Sequence, residues 1–109
     1  MGNKYFDNPL YNFNSFYHLF KSDVNYTIED YGEWVSTDNT HLEVLLKKRN
    51  TEDTLYFVVG YHANKDMSNP EEKCYSLSMD SAHWDSAQWF REEWEVINKI
   101  KQIMRKGAK

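Results

Sequence analysis

Residues 54–62, Thr-Leu-Tyr-Phe-Val-Val-Gly-Tyr-His, decide the fold. Apolar side chains occupy both alternating positions of this run, and β-branched and aromatic residues dominate it. That is the pattern of a strand buried on two faces, so the stretch reads as the centre of a sheet. Toward the N-terminus, Asn50 to Asp53 is polar turn chemistry, and residues 41–48 give a second strand with Leu42, Val44 and Leu46 on one face. Further back, Val24, Tyr26 and Ile28 alternate as a strand does. Tyr31 and Gly32 suggest a turn or bulge before Trp34 and Val35, and Asp38, Asn39 and Thr40 suggest another turn. Toward the C-terminus, a loop from Ala63 to Glu72 carries Pro70. Cys74 to Met79 then reads as the last strand, with Tyr75, Leu77 and Met79 on one side.

Helical periodicity flanks this strand-rich centre. Asn8 and Pro9 form a helix-start signal, and Leu10, Phe13, Phe16, Tyr17 and Phe20 recur at three- and four-residue spacing, predicting a helix over 9–21. Near the other end, Asp85 with Gln88 fits a capping box and Trp84 with Trp89 a hydrophobic staple. Trp89, Phe90, Trp94, Val96, Ile97, Ile100, Ile103 and Met104 fall on one half of the helix that follows. Its acids (Glu92, Glu93, Glu95) precede its bases (Lys99, Lys101, Arg105, Lys106), which complements the macrodipole, and Gly107 ends it. The expected fold is α+β. An N-terminal helix leads into an antiparallel meander of three to four strands, and a long C-terminal helix packs on the sheet. One domain spans 1–109, with 1–7 and 107–109 expected to fray.

Composition narrows the function classes. Of 109 residues, 17% are aromatic, including four Trp and eight Tyr, so the chain can fill a core. Cys74 is the single cysteine, which excludes an internal disulfide and suits a reducing, cytoplasmic setting. No apolar run reaches the length of a membrane span, and Asn3, Asp7, Asn8, Asn12 and Asn14 break up any secretory signal. Gly2 lacks the Ser or Thr a myristoylation motif places where Phe6 stands.

No catalytic or cofactor signature emerges. The four histidines (His18, His41, His62, His83) have no metal-ligand spacing. His41 and Glu43 share a strand face, and His83 and Asp85 flank a helix start, but neither pair is a site without a third ligand. Cys74 falls in an apolar strand pattern where a thiol is packing, and no nucleophile elbow or phosphate loop is present. The expectation is a protein that is not an enzyme and carries no metal or cofactor.

Charge layout is the local anomaly. From Ser22 to Leu46 there are six acids and no Lys or Arg, with Tyr26, Tyr31 and Trp34 interleaved. Such a run can be the solvated face of an edge hairpin, since charge protects edges from mispairing. It can also be a docking surface for a basic groove, formed by Asp23, Tyr26, Glu29, Asp30, Tyr31, Glu33, Trp34 and Asp38. On the second reading the chain is a protein-binding inhibitor whose partner is a nuclease. In format it is like the small acidic anti-CRISPR or anti-restriction proteins of phages and mobile elements, or the immunity proteins that mask nuclease toxins.

A basic pole, Val96 to Lys109 with Lys47, Lys48 and Arg49, supports the alternative of a nucleic-acid-binding regulator working through its last helix. The net charge of −4 argues against general nucleic-acid or membrane binding. The apolar half of the last helix leaves a homodimer open.

Overall fold

The computed structural model describes residues 12–35, 39–79 and 87–106. Helix α1 spans Asn14–Ser22, strands β1 to β5 span Tyr26–Val35, Asn39–Lys48, Thr54–His62, Tyr75–Ser78 and Gln88–Phe90, and helix α2 spans Glu93–Lys106. The strands form one antiparallel sheet in the order β1-β2-β3-β4-β5. The α+β meander is as the periodicities foretell, with β3 at its centre and five strands instead of three or four.

Directly opposed residues of an antiparallel pair share a face, so the register sorts the side chains. Leu42, Val44 and Leu46 oppose Val59, Phe57 and Leu55, and Val59 opposes Leu77. All of these are buried. Phe13, Phe16 and Phe20 beside α1, and Val96, Ile100 and Met104 from α2, close over the same face in one cluster. The Phe20 and Phe57 rings stack 6.0 Å apart. Tyr26 is 2% exposed, and its hydroxyl donates to the Met104 carbonyl at 3.4 Å, satisfying an acceptor in the last turn of α2. Both helices therefore lie on one side of the sheet.

Several local expectations are corrected. Within the described residues α1 begins at Asn14, not at 9. Asn12 and Phe13 are non-helical, and the Asn12 side chain accepts the Asn14 N–H at 2.8 Å. Asn8 and Pro9 lie outside the described residues. Gly32 pairs in register with Glu43, and the irregularity falls earlier, where Ile28 opposes Leu46 but Asp30 opposes Leu45. Glu29 is the extra residue, a bulge that reverses which alternate side chains of β1 face the helices.

Gln88 and Trp89 are not at a helix start, because Gln88–Phe90 pairs with β4 as a fifth strand. Three residues are too few for alternation to register in a sequence, and pairing overrides their helical spacing. Asp85 and Trp84 lie outside the described residues. The cap is supplied instead by Glu95, whose carboxylate accepts the N–H groups of Arg91 and Glu92 at 3.1 and 3.0 Å. Trp94, expected on the apolar half of α2, is 62% exposed, and Met79 is 46% exposed just beyond β4. The expected frayed ends and the turn residue Asp38 also lie outside the described residues.

The loop after β3 is held by one side chain. The Arg91 guanidinium donates to the carbonyls of Met67 (2.7 Å), Asn69 (3.0 Å) and Glu72 (3.0 Å). In the β2–β3 turn Asn50 takes φ 65°, a left-handed conformation Asn tolerates.

Phe57→Ala should lower unfolding stability by about 3–5 kcal/mol, because the ring's stacking and burial are lost and a cavity remains. Trp94→Ala should change it by about 0.5 kcal/mol or less, as exposed substitutions do. Denaturant unfolding of both variants checks the assignment of core and surface.

Candidate functional site

The bulge at Glu29 decides what becomes of the acidic-aromatic segment. Ile28, Tyr31 and Glu33 oppose Leu46, Val44 and Leu42, so they stand on the helix-covered side. Asp30 and Trp34 oppose Leu45 and His41, on the other side. The eight residues singled out from sequence therefore do not make one flat patch. Tyr26 belongs to the core and is removed from any surface by its burial. Asp23 is half-buried and caps a turn by accepting the Asn25 N–H at 2.8 Å. Asp38 lies outside the described residues. Glu29, Asp30, Glu33 and Trp34 are exposed along β1, and Tyr31 is partly so.

Tyr31 is tightly placed. Its hydroxyl donates to Glu33 Oε2 at 2.6 Å, and its ring meets Tyr17 edge-on at 5.1 Å. Burial, followed by the Glu33 carboxylate as acceptor and neighbouring charge, raises its phenol far above the ordinary range. The hydroxyl thus stays protonated and remains a donor.

On the far side of the sheet, the register assembles a transverse row across all five strands: Trp34, His41, Gly60, Ser76 and Trp89. Two indoles end the row, and two small residues occupy its middle. Trp34 stacks on His41 at 5.4 Å with an interplanar angle of 16°. A Cβ on Gly32 would collide with the six-membered ring of Trp34, so the glycine is what lets that indole lie back over its own strand. His41 Nε2 is 3.3 Å from Glu43 Oε2, and Tyr56 donates to Glu43 Oε1 at 2.7 Å. The shared face of His41 and Glu43 was legible from their spacing.

His62 was not legible as part of a group. Its Nδ1 is 2.9 Å from Asn39 Oδ1, and its Nε2 is 3.0 Å from Ser76 Oγ. A neutral ring satisfies both contacts, donating from Nδ1 and accepting the Ser76 hydroxyl at Nε2. Amide, imidazole and hydroxyl in that order can activate a serine. Here Ser76 is fully buried, so the chain of contacts pins β2, β3 and β4 together. Trp89 packs 4.7 Å from the imidazole, and Lys65 lies over the same indole at 5.1 Å. Burial first, then the charges of Lys65 and His41, lowers the His62 pKa from its ordinary 6.5.

Among the described residues no three His, Cys, Asp or Glu side chains come together as a metal would require. His83 and Asp85 lie outside them. Cys74 is buried beside β4, its thiol donating to the Arg91 carbonyl at 3.7 Å, and burial pushes its pKa up, away from the reactive thiolate. No helix among the described residues is long and apolar enough to cross a membrane.

The basic clusters meet. The Arg49 backbone N–H and Nε donate to the carbonyls of Asn25 and Val24, each at 2.9 Å, and Val24 and Asn25 line one hollow with Lys101 and Arg105. Residues about fifty positions apart in sequence thus border the same short segment.

Because the folded protein holds a proton off His62, stability should fall as pH drops below 6.5, level off below the folded pKa, and be unaffected by this group at higher pH. His62→Gln should flatten that slope, read from melting temperatures between about pH 7.5 and 5. Gly32→Ala should displace Trp34 from His41, with a shifted indole emission and a loss of about 1 kcal/mol or more. No protein-family model, curated protein or solved structure matches the chain.

Proposed function

We propose that the chain is a non-enzymatic protein-binding module that docks the β1 edge into a basic groove and inhibits the protein that owns it. One observation supports this reading most directly. β1 has a single strand neighbour among the described residues, and it presents Glu29, Asp30, Glu33 and the 49%-exposed Trp34 along ten residues. None of these three carboxylates has an ion-pair partner among the described residues. A partner that straddles the edge meets Asp30 and Trp34 on one side and Tyr31 and Glu33 on the other. Carboxylates steer a cationic surface into place, Trp and Tyr supply rigid contact area, and the open row of backbone groups can add a strand.

The partner chemistry that fits is a groove lined by Arg and Lys, of the kind a nuclease uses to hold nucleic acid. Counter-defence proteins of phages and mobile elements, and immunity proteins against nuclease toxins, are the biological formats in which such a small acidic inhibitor works. A second reading, a nucleic-acid-binding regulator, is favoured by the convergence of Arg49 with Lys101 and Arg105 beside Val24 and Asn25.

Affinity capture from host lysate at low and at high salt, followed by a nuclease assay of the retained protein, tests the first reading. The expected result is a salt-sensitive basic protein whose cleavage stops at stoichiometric inhibitor. Reversing the exposed Glu29 and Asp30 to Lys, and sparing Glu33 because it holds the Tyr31 hydroxyl, should slow association about tenfold or more with little change in melting temperature. Retention of nucleic acid alone, lost when Lys99, Lys101, Arg105 and Lys106 are neutralised, would replace it with the second reading.

A further inference from the structure

We propose that the hollow between α1 and β1 binds an aromatic ring that carries a phosphate group. The hollow has a volume of about 530 Å³, within the usual range for small-molecule sites. Phe20 from α1 and Tyr26 from β1 lie buried beneath it, and the partly exposed Tyr17, Ile28 and Tyr31 present its apolar surface. Tyr17 and Tyr31, locked edge to face at 5.1 Å, stand at its partly exposed rim. An aromatic ligand has the partly exposed rings of Tyr17 and Tyr31 to pack on.

Charge decides what the ring must carry. Lys21 and Arg49 line the hollow, no acid does, and neither cation has an ion-pair partner among the described residues. In a chain of net charge −4 this is a local reversal of sign. Arg49 is held in place, since its backbone N–H and Nε are spent on the Asn25 and Val24 carbonyls. That leaves the two terminal nitrogens of a fixed fork, the geometry that suits phosphate oxygens. Lys21 sits in the last turn of α1, where it offsets the negative helix end that would otherwise repel an anion. The Glu33 carboxylate is engaged by the Tyr31 hydroxyl at 2.6 Å, and Asp23 and Asp53 act on the Tyr26 phenol without lining the hollow themselves. The site shares Tyr31 with the docking surface, but its cations Lys21 and Arg49 take no part in the docking reading, so either can fail without the other.

Two sources offer this chemistry, a free nucleoside monophosphate and a phosphorylated tyrosine side chain. Amide correlation spectra of the full, isotope-labelled chain test the proposal by titration with adenosine 5′-monophosphate, phenyl phosphate, adenosine and inorganic phosphate. At least one aromatic phosphate should shift, saturably, the amides of Lys21, Thr27, Ile28, Tyr31 and Arg49. Adenosine and inorganic phosphate should each bind about tenfold more weakly or worse. Tighter binding of the nucleotide identifies the first source, and tighter binding of phenyl phosphate the second. Lys21→Gln, on an exposed side chain, should weaken the preferred ligand about tenfold while leaving the spectrum otherwise native. Arg49→Lys, which keeps the charge but not the fork, provides an independent check. Equal binding of adenosine and its monophosphate, equal binding of inorganic phosphate, shifts confined to Lys101 and Arg105, or no shift at all would overturn the assignment.

Discussion

The pairing of Leu42, Val44 and Leu46 with Val59, Phe57 and Leu55 is the constraint on which the other elements depend. Six apolar side chains on one face of two central strands form a surface that water penalises, and only elements with complementary apolar stripes can relieve the penalty. Phe16 and Phe20 on α1 and Val96, Ile100 and Met104 on α2 supply those stripes. Both helices are thereby committed to the same side of the sheet. The opposite side is left to bring its histidines, tyrosine and tryptophans into polar and stacked contacts with one another.

A single inserted residue then distributes the acidic segment. Without the bulge at Glu29, strict alternation would have kept Asp30 and Trp34 on the side of Ile28, against the apolar core. The bulge turns them outward and brings Tyr31 and Glu33 to the helix side. There the Tyr31 ring becomes part of the rim shared with α1. One irregularity in one hairpin thus shapes both the acidic edge of β1 and the hollow beside α1.

Much of the architecture was legible because it rests on short-range periodicity. Residues 54–62 are apolar at both parities, and Leu42, Val44 and Leu46 alternate, so β2 and β3 could be read with nearly their observed bounds. What escaped depends on partners distant in sequence. Gln88, Trp89 and Phe90 have helical spacing with Val96 and Ile97, and only β4 makes them a strand. Tyr26 looked like an interfacial aromatic among acids, yet its hydroxyl finds an acceptor seventy-eight residues away. The Asn39, His62 and Ser76 contact needs three strands in register before it exists. The acidic run itself was plain from composition, but its division between two faces turns on a bulge, and the sequence had suggested one at the wrong pair of residues.

The order in which the strands pair carries a consequence for how the chain reaches this state. Each strand bonds to the strand next in sequence, so the sheet can grow hairpin by hairpin, while the docking of α2 against Tyr26 closes a far larger sequence separation. Half of the covering layer, however, is α2, which the ribosome completes after all five strands. Until α2 is available, Tyr26 lacks the Met104 carbonyl that receives its hydroxyl in the folded protein. The contacts that lock the core are therefore among the last that the chain can make, because they wait for α2.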